Sequence, residues 1–122
     1  MKTKLNVGER LTLVQIIPEK GSFKTMRTVE TVKNTLYLSD EEREEFEIKQ
    51  NGSNLAWNAK GSEPKEISFN DFGLELIMEA FESLDITESL TSPQYLLYKH
   101  FKDEEEKAKE EVKEVEKPKG QN

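Results

Sequence analysis

The longest apolar stripe in the chain runs from Phe69 to Leu84, where Phe69, Phe72, Leu76, Ile77, Ala80, Phe81 and Leu84 recur at helical spacing. Residues three and four apart lie above one another on a helix, so this pattern predicts a helix with one buried face, on which a core forms. All seven apolar residues are expected in that core. Asn70 stands where an N-cap belongs, Phe69 and Leu74 have the spacing of a hydrophobic staple, and Asp71 suits the first turn. Gly73 is the residue the pattern does not explain; a mid-helix glycine is a local cost unless another part of the chain comes close.

The segments before it alternate between the two periods. Val7, Leu11, Val14 and Ile17 predict a first helix over 6–17, with Asn6 and Glu9 as a capping box and Pro18 and Gly21 as its stop. Phe23, Met26, Val29, Val32 and Leu36 predict a second helix over 22–36, against the weak helix preference of Thr25, Thr28, Thr31 and Thr35. A strand over 34–38 is the alternative for its last third. Ser39 with Glu42 forms another capping box, opening a short helix over 39–45.

The period then falls to two. Asn51-Gly52 is a hairpin turn signal. A two-residue loop there pairs Gln50 with Ser53, Ile48 with Leu55 and Phe46 with Trp57, putting the large apolar residues on one face. Trp57 is then a core contact of Phe46. Residues 66–69 alternate as well and offer a third strand for that sheet. After a connector over 84–91, Ser92 as cap and Pro93 at the first helical position begin a last helix, with Tyr95, Leu96, Leu97, Tyr98 and Phe101 as a broad apolar face. The fold class is α+β: four or five helices with a small antiparallel sheet built on a β-hairpin, in an order that is winged-helix-like.

Composition divides the chain. From Lys102 onward only Ala108, Val112 and Val115 are apolar, so a single domain over 1–101 holds the core and 102–122 is a charged tail, helical at first and disordered over 117–122. Two valines are too few for a coiled-coil seam. The net charge is −7, of which the tail carries −2, and a negative domain repels phosphate backbones at long range. There are no cysteines, which removes disulfides, thiolate metal sites and cysteine nucleophiles. No stretch resembles a signal peptide or a membrane span, and a soluble, cytoplasmic protein with no membrane partner is expected.

Little here points to catalysis. No phosphate-binding glycine loop, nucleophile elbow or zinc-protease motif occurs, so neither an enzyme nor a cofactor is expected. The single histidine, His100, rules out multi-histidine metal sites and reads as a surface residue. The run Asp40 to Glu45 lacks the glycine of a calcium loop and reads as a capped, solvated helix. As a recognition helix it would present five carboxylates and one arginine to DNA, which is the wrong chemistry. Basic residues collect instead at Lys20, Lys24, Arg27 and Lys33, the first three spaced to share a helix side, and these are the candidate nucleic-acid contacts. Tyr95 and Tyr98 are the candidate contacts to a protein partner.

Two blocks carry a resemblance. The ERLTLVQIIPEKG helix and stop, and the acidic EEFEIKQ run leading into the hairpin, resemble small phage and prophage proteins of unassigned activity. The resemblance spans about the first hundred residues and implies an accessory protein acting by binding. The expected function is a small intracellular accessory protein that binds a protein partner or itself. The alternative is a winged-helix-like nucleic-acid-binding regulator.

Overall fold

The computed structural model describes residues 1–116 and the side chains through residue 110; the expectation of disorder over 117–122 lies outside the described residues. In chain order the elements are β1 (Lys2–Leu5), α1 (Val7–Ile16), α2 (Phe23–Leu36), α3 (Asp40–Glu45), β2 (Lys49–Asn51), β3 (Asn54–Ala56), β4 (Lys65–Ser68), α4 (Asp71–Ile86) and α5 (Ser92–Glu116), with a 3-10 turn at Ala59–Ser62. The fold is α+β.

Local chemistry sets most of the boundaries. Asn6 and Glu9 form a reciprocal capping box on α1, and Ser39 and Glu42 form another on α3. Asn70 Oδ1 accepts from the Gly73 backbone N–H at the start of α4. On α5 the cap is Thr91, one residue ahead of the expected Ser92. Its hydroxyl accepts from Gln94 N while Gln94 Oε1 accepts from Thr91 N. The second helix stays helical through Leu36, because Val29, Val32 and Leu36 share its buried side and their burial outweighs the threonines. Thr28, Thr31 and Thr35 each donate a hydroxyl to the carbonyl four residues earlier, so these hydroxyls are satisfied without a break in the helix.

The strands pair differently from the sequence expectation. Residues 65–68 do not extend the hairpin; they pair antiparallel with β1, from Lys2 opposite Ser68 to Leu5 opposite Lys65. The result is two separate two-stranded ladders, β1–β4 and β2–β3. The Lys2-Thr3-Lys4-Leu5 alternation buries Thr3 and Leu5 and leaves both lysines outside. In the hairpin, Asn51 pairs with Asn54, Gln50 with Leu55 and Lys49 with Ala56, so Gly52-Ser53 forms the turn in place of Asn51-Gly52. Gly52 takes a φ of 64°, where a residue without Cβ is favoured. Phe46 ends α3 in helical conformation and Glu47 turns at a φ of 51°, so the ladder starts only at Lys49. Phe46 is buried, but all six residues of β2 and β3 are exposed, Leu55 included.

The core is helical. Leu13 and Ile17, Val29, Val32 and Leu36, Leu76, Ile77 and Phe81, and Leu97 and Phe101 converge from the four long helices, joined by Leu5, Ile67 and Phe69 from the β1–β4 side. Phe101 lies 6.1 Å from Phe69 and 6.0 Å from Phe81, ring centre to ring centre, in tilted aromatic contacts. The Phe69–Leu84 stripe supplies Phe69, Leu76, Ile77 and Phe81 to the centre of this core, but Ala80 and Leu84 are only half-buried and Phe72 is 63% exposed. Gly73 occupies the buried side in its place. A Cβ there would stand 3.1 Å from Val32 Cγ2, so the glycine lets α2 and α4 close together. The close neighbour is a side chain, not another backbone. Trp57 is half-buried and rests against Gly61 and Gly8, where an added Cβ would meet its ring at 2.7 and 3.5 Å.

Candidate functional site

Three clusters of polar or aromatic side chains stand out, and their environments separate structural roles from open ones. The first lies inside the fold. Arg10 is on the buried side of α1, three residues from Leu13, and is 3% exposed. Its Nη1 donates to Glu42 Oε2 at 2.8 Å and its Nη2 to Glu42 Oε1 at 3.3 Å, a bidentate pair. Its Nε donates to the Leu36 carbonyl and its Nη2 also to the Tyr37 carbonyl, both at 3.0 Å. These carbonyls lie at the C-terminus of α2, where no intrahelical partner exists, so a side chain of α1 completes that terminus. Glu42 Oε2 also receives Lys65 Nζ at 3.0 Å, and Glu42 Oε1 closes the Ser39 capping box. The Arg10 hydrogen bond holds the Glu42 carboxyl at about 2, against an ordinary 4.5, with Ser39 and Lys65 acting in the same sense and burial opposing them. The acidic run is therefore not wholly solvated. Glu42 is buried, and the cluster joins α1, α2, α3 and β4 with its hydrogen-bonding capacity used.

His100 is also tied into the structure. It is half-buried on α5, and its Nε2 stands 2.6 Å from the hydroxyl of buried Thr3 on β1. The contact connects the first strand to the last helix. Among the described residues no three His, Asp or Glu side chains gather as metal ligands, and no helix is long and apolar enough to cross a membrane.

The second cluster is a groove between α2 and the start of α4. Lys24, Arg27, Thr28 and Thr31 line one wall; Asn70 and Phe72 line the other, around a cleft of about 250 Å³. Lys24 Nζ is 6.0 Å from the centre of the Phe72 ring, at the outer limit of a cation–π contact. Among the described residues, no carboxylate lies within 4 Å of the Lys24 ammonium or the Arg27 guanidinium. A second depression of about 260 Å³ shares Thr31 and Asn70 and continues the groove to Thr35 and Ser68. The four basic candidates therefore separate. Lys24 and Arg27 share the groove, whereas Lys20 precedes α2 and Lys33 is half-buried outside the groove lining.

The third cluster is where α5 leaves the core. Tyr95, Tyr98, Leu90, Lys99 and Lys102 line a shallow depression of about 260 Å³ beside Asp85. Tyr98 stacks on Phe81 at 4.8 Å with the rings nearly parallel, and Lys102 Nζ sits 4.7 Å over its ring. Tyr98 is thus partly a core residue. Tyr95 is 53% exposed and its neighbour Leu96 is 62% exposed. Leu96 was legible as an apolar residue on the helix, but its pattern alone does not distinguish a core position from an open one.

The molecule is a small helix-rich α+β protein whose open features are a basic–aromatic groove and an apolar patch. Compared with protein-family models, curated proteins and solved structures, the chain has no significant match in any of the three.

Proposed function

We propose that this is a small accessory protein, of the sort the phage-type resemblance implies, that works by binding another protein through the first turns of α5. One observation carries the reading. α5 buries Leu97 and Phe101 completely and leaves Tyr95 and Leu96 in solvent beside the Leu90–Tyr98 depression. Apolar side chains spent on a surface next to a concave, partly apolar site are a common form of protein interface, and tyrosine is a frequent anchor there.

The test is affinity capture from cells of the source organism with the full chain and with a Tyr95→Ser/Leu96→Ser variant. Both positions are exposed, so circular dichroism of the variant should match the parent. A partner retained by the parent and lost by the variant supports the reading. Capture indifferent to the substitution, together with a monomeric sedimentation profile at high concentration, would set it aside.

The nucleic-acid alternative finds no support in α3. That helix is six residues long, and its acidic side chains project to solvent except for Glu42, which Arg10 and Lys65 occupy. What favours a nucleic-acid ligand lies elsewhere, in the α2–α4 groove.

A further inference from the structure

We propose that the groove between α2 and α4 binds a nucleotide unit, with its phosphate at Lys24 and Arg27 and its base against Phe72. This site shares no lining residue with the α5 depression and does not depend on the protein-binding reading.

Three observations converge on that ligand. First, Lys24 and Arg27 are one turn apart on α2 and face the same cleft, with no carboxylate within 4 Å among the described residues. Arg10, by contrast, is answered inside the fold by Glu42. Second, Phe72 stands on the opposite wall, 63% exposed, while Gly73 takes the buried side of the helix start. An exposed ring facing two cations suits a planar group that also carries negative charge, because bases stack on aromatic faces while arginine and lysine neutralise the phosphate. Third, Asn70 Oδ1 is fixed by the Gly73 N–H, which turns the side-chain amide donors away from the helix at the cleft wall. Thr28 and Thr31 donate their hydroxyl protons to α2 carbonyls, so what they offer the cleft is acceptor capacity, suited to the amino edge of a base rather than to phosphate.

Size and charge limit the ligand further. The cleft of about 250 Å³ accommodates one nucleotide unit, not a duplex. The chain's net charge of −7 opposes a long polyanion at a distance, and two cations neutralise one or two phosphates at most. A free mononucleotide and a short single strand present the same phosphate-plus-base chemistry, and experiment separates them.

The experiment is amide chemical-shift mapping on the full chain, titrated with adenosine monophosphate, with an eight-residue oligothymidylate, with inorganic phosphate and with an acidic peptide. Either nucleotide probe should shift amides of residues 24–31 and 70–73 selectively. Phe72→Ala should weaken binding roughly tenfold, a loss of one stacking contact. Lys24→Glu with Arg27→Glu should abolish it. These side chains are exposed, so the variants should keep the parent fold. For the oligonucleotide, the slope of log affinity against log salt should be about −1.4, as for two phosphates neutralised on a single strand. Tighter binding of the oligonucleotide identifies a single strand as the ligand; equal or tighter binding of the monophosphate identifies a free nucleotide. The proposal is overturned if neither nucleotide shifts the groove at millimolar concentration, or if binding ignores Phe72→Ala and inorganic phosphate does as well. It is also overturned if the acidic peptide binds the same residues more tightly than both nucleotides.

Discussion

Arg10 and Arg27 lie on consecutive helices and are treated in opposite ways. Arg10 is withdrawn from solvent, and its donors are taken up by one carboxylate and two helix-terminal carbonyls. Arg27 stands at a cleft beside Lys24, with no acidic partner within 4 Å among the described residues. The difference shows how burial assigns a role. A buried guanidinium must be satisfied by the fold itself, since an unmet buried charge would cost several kcal/mol. An exposed one can remain uncommitted, because water solvates it until a ligand arrives.

The sharpest way to break this contrast is at Arg10. Arg10→Ala strips Glu42 of its principal partner and leaves the α2 carbonyls unmet, so unfolding in urea should show a loss of about 3 kcal/mol. A loss below about 1 kcal/mol would mean that Lys65 and water replace the guanidinium, and the cluster would no longer count as a structural clamp. Acid tests the same pair without mutation. Glu42 has its folded pKa depressed to about 2 from 4.5, so its contribution is fully present above the unfolded value and is lost as pH falls through the folded one. Stability should therefore decline between about pH 5 and pH 2, by something on the order of 3 kcal/mol. Glu42→Gln should flatten that limb, and an unchanged acid limb in this variant would assign the decline to other carboxylates.

A smaller effect is expected at Gly61, where a Cβ would meet Trp57 Cδ1 at 2.7 Å. Gly61→Ala should cost about 1–2 kcal/mol by overpacking and change the emission of Trp57, the only tryptophan. Unaltered emission would show that the ring does not rest on that glycine. The least effect on stability is expected on the open side of the comparison. Lys24→Glu with Arg27→Glu should shift unfolding by less than about 0.5 kcal/mol while removing groove binding. A large destabilisation there would mean that the two cations serve the fold after all.

How much of this was legible in the sequence depended on whether the deciding interaction was local. Caps at Asn6, Ser39 and Asn70 involve residues three apart, and all three are present in the fold. The core stripe at Leu76, Ile77 and Phe81 was equally legible, since periodicity reports a face directly. Phe72 was misplaced because a stripe gives an arc and not its exact edge; Gly73, not Phe72, meets α2. The β1 strand carried a faint signal, the four-residue alternation Lys2-Thr3-Lys4-Leu5, but its partner is β4 and nothing local announces that pairing. The hairpin register was read from Asn51-Gly52 as the turn, which also lined up the large apolar residues, and the turn falls one residue later. The chain instead follows the backbone, with Glu47 and Gly52 at positive φ setting where the ladder begins and turns. Arg10 was detectable by its spacing to Leu13 and Ile17, yet that spacing does not show that Glu42, on another helix, would answer it. The groove was half legible: Lys24 and Arg27 were named, while Phe72 was assigned to the core and so could not be recognised as their neighbour.

The pairing of β1 with β4 also orders events at the ribosome. Lys2 to Leu5 are made well before their ladder partners, Lys65 to Ser68, which follow three helices and the hairpin, and the His100 that meets Thr3 comes later still. Strand β1 thus stays unpaired until β4 is made, and closing the ladder is a non-local step that slows folding. Its alternating lysines, Lys2 and Lys4, keep that waiting edge charged, which discourages pairing with another nascent chain.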